Sequence, residues 1–175
     1  MEKDSISGGI SGAITDPYSD KALLHAEIYY EEIRKMSTDV EKIAQNTGFT
    51  KEQILTVKNY LFNDAHYLQG EVKRFSPCFE IAESWQRLAF DPDNIKPHDI
   101  TLINHELTEN QLVSSGVSQD QAHRAATREY NYTLESKEYY KQLGIDATKL
   151  HEKDQNSGAV NENDYDISDD WGLSY

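Results

Sequence analysis

The chain has 175 residues and a formal net charge of −14, from 31 Asp and Glu against 17 Lys and Arg. That length suits one domain with a single core plus tails. A mean hydropathy of −0.76 and a hydrophobic share of 37% predict that part of the chain stays outside that core. The acidic field repels phosphate backbones and disfavours nucleic acid unless a local basic face exists. A lone cysteine, Cys78, excludes an internal disulfide framework and gives no sign of a multi-cysteine zinc site. No apolar run reaches membrane-spanning length, and the N-terminus lacks a signal-peptide pattern, so a cytoplasmic protein is expected.

Taken in order, residues 1–16 are Ser- and Gly-rich and read as a flexible arm. Pro17 sits near the start of a helix with Leu23, Leu24, Ile28 and Ile33 as its apolar face and Tyr29 and Tyr30 alongside. His25 falls beside that face and reads as a surface or partner-packing histidine. Thr38 with Glu41, and then Thr50 with Gln53, match the S/T-x-x-E/Q capping box and predict two short helices separated by Gly48. The spacing of Ala44, Gly48, Ile54 and Val57 is that of a helix-turn-helix unit. Basic Lys42, Lys51, Lys58, Lys73 and Arg74 are matched one for one by Asp39, Glu41, Glu52, Asp64 and Glu71. DNA binding is therefore only a weaker alternative for this unit. A further helix over about 80–90 carries Ile81, Trp85 and Leu88 on one side, with Arg87 beside them. No stretch alternates as a strand should, so the prediction is an all-α, compact multi-helix domain over 17–143. The tail 144–175 is acidic and thin in apolar residues, reading as disordered and solubilising; a docking segment over 166–175 is the alternative.

The stretch Pro97–Tyr130 carries the candidate chemistry. Asp99 is a good N-cap for a helix to Ser114. On it, His105, Glu106 and Glu109 fall in or beside the face that should be buried. A second helix starts at the Ser118/Gln121 box and puts His123, Ala126, Tyr130 and Leu134 on one side. The turn at Ser115-Gly116 is short, so the helices should be antiparallel neighbours, with His123 turned toward His105 and Glu109. Two imidazoles and a carboxylate suit a divalent metal, zinc first, with one position left for water. Glu106 would then be the general base, as in H-E-x-x-H peptidases, although Glu109 stands where that motif has its second histidine. A metal-free alternative uses the histidines and a glutamate as acid and base, with Arg87 steadying an anionic transition state in a nuclease-like reaction. The bland alternative is a hydrogen-bonded network in which Arg87 or His98 pairs with Glu106 or Glu109. His66 and Trp85 are further candidates that the sequence does not place.

The segments TDVEKIAQNTGF, VKNYLF, ESWQRL, PHDITLINHEL and the AH…YNY end resemble a domain of phage and prophage minor head (Mu F-like) proteins. The same domain accompanies toxin-like polymorphic proteins of Gram-positive bacteria. The resemblance spans about 11–132 and implies a small effector or accessory domain, inside a bacterial host or on a virion. Its motif positions are His66, Trp85, Arg87, His105, Glu106, Glu109 and His123. It implies either a toxin-like hydrolase or a non-enzymatic accessory protein that binds a phage or host protein through its acidic surface.

Overall fold

The computed structural model describes residues 16–144. The arm over 1–16 and the tail over 144–175 thus lie almost wholly outside the described residues. Seven helices are described: α1 (Asp20–Lys35), α2 (Asp39–Thr47), α3 (Lys51–Lys58), α4 (Phe79–Phe90), α5 (Pro97–Ser114), α6 (Gln119–Glu129) and α7 (Tyr132–Gln142). The all-α expectation holds, with one addition. A small antiparallel hairpin, β1 (His66–Leu68) and β2 (Glu71–Lys73), joins the α3 region to α4. Its turn residues Gln69 and Gly70 both have positive φ, 50° and 83°, the geometry that two-residue hairpin turns need. Strands of three residues are too short to show alternation in the sequence.

Helix α5 is central and packs against α3, α4, α6 and α7, while α2 fits between α3 and α4 and α1 lies along α4. The main core joins Tyr29, Tyr30 and Ile33 of α1 to Ile43, Ile54 and Val57, to Ile81, Trp85 and Leu88 of α4, and to Leu102 and Ile103 of α5. The α4 stripe is buried as its spacing predicted.

The α1 face matches the expected one at Ile33, Tyr29 and Tyr30 and departs from it elsewhere. Leu23, Leu24 and Ile28 are exposed, and the buried side is Ala22, His25, Ala26, Tyr29, Tyr30 and Ile33. The alanines let the helix approach its neighbours closely. His25 is buried rather than superficial, stacked on Tyr29 and edge-on to Phe79. Leu134, expected on the α6 apolar side, lies on α7 and is exposed.

The capping signals divide the same way. Thr50 and Gln53 form the reciprocal box, at 3.1 and 2.9 Å. Gly48 closes α2 with φ 82°, a left-handed position that suits glycine. Ser118 accepts from the Gln121 N–H at 3.4 Å. Thr38 has helical backbone angles and makes no side-chain cap. The first residue of α2, Asp39, is engaged instead: its carboxylate accepts Lys58 Nζ at 2.8 Å and Trp85 Nε1 at 3.0 Å. Lys58 also donates to the Met36 carbonyl at 2.8 Å. This buried group ties the end of α1 to α2, α3 and α4.

After α3 the backbone widens into one π turn over Asn59–Asn63, closed by Asp64 N–H to the Asn59 carbonyl at 2.8 Å. The turn places Tyr60, Leu61 and Phe62 in the interior in succession. Asp99 is the third residue of α5 rather than its cap, and its Oδ2 accepts the Lys96 N–H at 2.8 Å.

Removing one partner of a buried ion pair leaves the other charge uncompensated. Asp39→Ala is therefore expected to lower unfolding free energy by about 3–5 kcal/mol, read as a shift of the urea midpoint at unchanged slope. A midpoint shift no larger than that of an exposed charge change would show that the Asp39–Lys58–Trp85 group does not hold the fold.

Candidate metal centre

Helices α5 and α6 meet across the tight turn at Gly116, whose φ of 98° is a conformation available to glycine without strain. Fold-back at this point sets His123 of α6 against the second half of α5. The result is a polar group centred on one oxygen atom. Glu109 Oε2 lies 3.0 Å from His105 Nε2 and 2.9 Å from His123 Nδ1. The two imidazole rings pack edge to face with centroids 5.1 Å apart. The other oxygen, Oε1, accepts the Tyr60 hydroxyl at 2.7 Å and contacts the Gln119 amide. Gln119 also donates to the Tyr60 hydroxyl, at 2.6 Å. His105, Glu109 and His123 are all buried.

The far nitrogen of His105 decides what the cluster can be. Nδ1 lies 2.8 Å from the Tyr130 carbonyl, and a carbonyl only accepts, so Nδ1 must carry a proton. Nε2 lies 3.0 Å from a carboxylate oxygen, and two acceptors do not sit at that distance without something positive between them. That is a proton, held by Nε2 or by the carboxyl, or a metal cation. A second-shell carbonyl that fixes the tautomer is the usual companion of a metal-ligating histidine. The three donor atoms lie within 4.8 Å of one another, compared with roughly 3.3 Å between ligands of a tetrahedral zinc with bonds of about 2.0 Å. The His105–Glu109–His123 group could hold a metal ion.

The two carboxyl groups are driven apart. Burial alone would raise Glu109, but hydrogen bonds from His105 and His123, and their charge, bring it down to about 2. Glu106 has no such partners: burial, and then the negative charge of Glu109, push it well above the ordinary carboxyl range. Glu109 is thus held as the anion, while Glu106 is driven toward the protonated acid. Pairs of carboxyls separated in this way are a feature of acid–base sites, and also of structural networks.

The remaining candidates lie elsewhere. Arg87 does not pair with Glu106 or Glu109. It forms a two-pronged contact with Asp99, at 2.8 and 2.7 Å, and also touches Ser84 and His98. The reason is register: α4 meets the first turns of α5, about 10 Å along the axis from residue 106. His98 sits with that arginine rather than with the cluster, and Trp85 serves Asp39. His66 is one step removed. Its Nε2 meets the Tyr60 carbonyl at 2.7 Å and its ring packs on Tyr60 and Phe75, so it buttresses the residue that holds Glu109. Tyr60, Gln119 and the Tyr130 carbonyl were not foreseen. Gln119 had a signal, since it stands four residues before His123 as His105 stands four before Glu109.

The helix-turn-helix-like unit does fold, with Ile54 and Val57 buried. Its cations are engaged internally: Lys51 on Glu41, Lys58 on Asp39, and Lys42 over the Phe90 ring. Arg74 and Lys73 contact the Asn63 carbonyl and Glu71. No helix among the described residues is long and apolar enough to cross a membrane.

No protein-family model, curated protein or solved structure matches this chain.

Linkage gives the two glutamates opposite pH signatures in metal-free protein. Glu109, depressed to about 2 when folded, contributes stability above the ordinary carboxyl pKa and loses it as pH falls from about 4.5 toward 2. Glu106, raised when folded, favours the fold below its unfolded pKa and loses that contribution as pH rises through the range above 4.5. Glu106→Gln should thus match wild type in urea unfolding at pH 4 and exceed it at pH 8. Glu109→Gln should be destabilised most at neutral pH and least near pH 2. Identical pH profiles for the two variants would mean that the carboxyls are not differentiated in this way.

Proposed function

We propose that His105, Glu109 and His123 form a zinc site and that the chain is a small effector with hydrolytic chemistry there. The observation that supports this reading most strongly is the Nδ1–H contact of His105 with the Tyr130 carbonyl. It turns Nε2 toward the Glu109 carboxylate, where a metal cation can replace a proton between the two. His105 Nε2, Glu109 Oε2 and His123 Nδ1 are the ligands, and three protein ligands leave a position for water, as catalytic zinc sites do. Zinc there would supply a water acidic enough to ionise near neutral pH. Glu106, next to the first ligand in sequence, would accept the proton of that water, since positive charge held by the three ligands would offset the burial that raises its pKa. Tyr60 and Gln119 hold Oε1 and so aim Oε2 inward. Gln119, at the first turn of α6, is less buried than the histidines and the carboxylate, so access to the site runs past it. The resemblance to phage minor head and toxin-like domains supports an effector role.

A second reading has one observation in its favour. Leu24 and Ile28 stand exposed one turn apart on α1, among Asp20, Glu27 and Glu31. Such a strip suits a protein partner with a basic, aliphatic face, as a non-enzymatic accessory protein would use.

Elemental analysis of protein purified without a histidine tag separates the two. About one zinc per chain, lost in His105→Ala, is expected, together with growth arrest on expression that Glu106→Gln abolishes while zinc is retained. Protein free of any divalent metal after purification and zinc dialysis would remove the first reading and leave the second.

A further inference from the structure

The two oxygens of Glu109 keep different company, and the difference sets what a metal ion in the site can take. Oε2 faces the two imidazole nitrogens, at 3.0 and 2.9 Å. Oε1 meets the Tyr60 hydroxyl at 2.7 Å and the Gln119 amide. One Gln119 atom touches both this oxygen and the Tyr60 oxygen, the latter at 2.6 Å. A carboxylate only accepts, so that atom is the amide nitrogen. It donates to the Tyr60 oxygen as well, which turns the phenol proton toward Glu109. Two donors therefore converge on Oε1, one for each of its lone pairs.

Tyr60 is held as firmly as the carboxylate it serves. It lies in the π turn and is 2% exposed. Its backbone carbonyl meets His66 Nε2 at 2.7 Å, so that nitrogen carries a proton. Its ring packs edge-on against His66 and Phe75, with centroids 4.5 and 5.6 Å away, and His66 in turn stacks on Phe75 at 4.3 Å. His66 is the first residue of β1 and is itself buried. The hairpin thus reaches the metal centre at one remove: His66 fixes Tyr60, and Tyr60 fixes Oε1 of Glu109.

A carboxylate binds a cation through one oxygen or through both. With both lone pairs of Oε1 taken up, Glu109 has only Oε2 to give. Three protein atoms and a water then make four ligands, the number zinc prefers. Binding through both oxygens would add a fifth and shift the site toward oxygen-seeking ions such as calcium or manganese. We propose that Tyr60, fixed by His66 and joined by Gln119, is a positioning residue that keeps Glu109 a one-oxygen ligand and so limits the metal ion to four-fold coordination. The inference rests on the zinc site proposed above and adds what selects the ion.

Cobalt(II) in place of zinc reads the coordination number in the full-length chain, since four-coordinate cobalt absorbs visible light far more strongly than five- or six-coordinate cobalt. Tyr60→Phe removes only the hydroxyl. His66→Phe keeps a ring against Phe75 and removes the N–H. Wild type loaded with cobalt is expected to show intense visible bands. Both variants should show weaker, shifted bands, with zinc affinity in chelator competition lowered by about tenfold to a hundredfold and manganese affinity not lowered in step. Circular dichroism checks that each variant is folded; should Tyr60→Phe fail to fold, Gln119→Met at the half-buried rim carries the same expectation. Unchanged cobalt bands and zinc affinity in the folded variants would overturn the positioning role and leave the zinc site standing. Weak cobalt bands in wild type would overturn the four-fold assignment. A wild-type chain that takes up neither cobalt nor zinc would remove the zinc reading and this inference with it.

Discussion

A carboxylate taken out of water between helices has to be met from several sides, and Glu109 is. Its two oxygens receive contacts from α5 itself, from α6 and from the π turn that follows α3. Two consecutive helices and a π turn far from them in sequence are held in register by one side chain. If Glu109 were unpaired, burial would neutralise it or cost several kcal/mol. With His105, His123 and Tyr60 in place it remains charged, and the helices must stay where those groups reach it. The π turn follows from the same demand: widening the helix by one residue is what brings Tyr60 inward alongside Leu61 and Phe62.

The same device recurs at two other joints. Asp39 gathers Lys58 and Trp85 where α2, α3 and α4 meet, and Asp99 gathers Arg87 where α4 meets the start of α5. Apolar packing supplies the core, but it is weakly directional. The three carboxylates specify which helix turn faces which, since each must meet particular donors at hydrogen-bond distance. A chain with modest hydrophobic content gains positional definition this way.

What the sequence disclosed follows from the range of the forces involved. Capping at Thr50, the glycine at 48 and the Ile81–Trp85–Leu88 stripe are local, set by neighbours three or four residues away, and they were legible. The convergence of His105, Glu109 and His123 was legible too, because a short glycine turn leaves antiparallel helices little choice. The failures lie where a distant partner overrides local pattern. Leu23, Leu24 and Ile28 form a plausible apolar face, yet α1 buries its alanines and aromatic rings because those fit against α4. Thr38 has a capping sequence, but Asp39 beside it is claimed by Lys58 and Trp85. Arg87 stands near the candidate carboxylates in any helical projection, and only the packing of α4 on α5 assigns it to Asp99. Tyr60 could not be found at all, because nothing in NYLFN announces a π turn.

The buried face of α5 explains why function and framework are hard to separate here. Along it, His98, Leu102, His105 and Glu109 follow one another at helical spacing, with Asp99, Ile103 and Glu106 alongside. Polar and apolar side chains share the stripe, so no simple amphipathic pattern marks it. Apolar packing alone does not call for these polar groups, yet Asp99 and Glu109 each have buried partners that their removal would strand. What they add is a set of protons and lone pairs in fixed positions. His105 meets the Tyr130 carbonyl through Nδ1 and Glu109 through Nε2. His98, seven residues earlier on the same helix, meets Arg87 and Asp99 through Nε2. Each imidazole is thereby oriented by a group from another segment, the Tyr130 carbonyl in one case and the Arg87 guanidinium in the other.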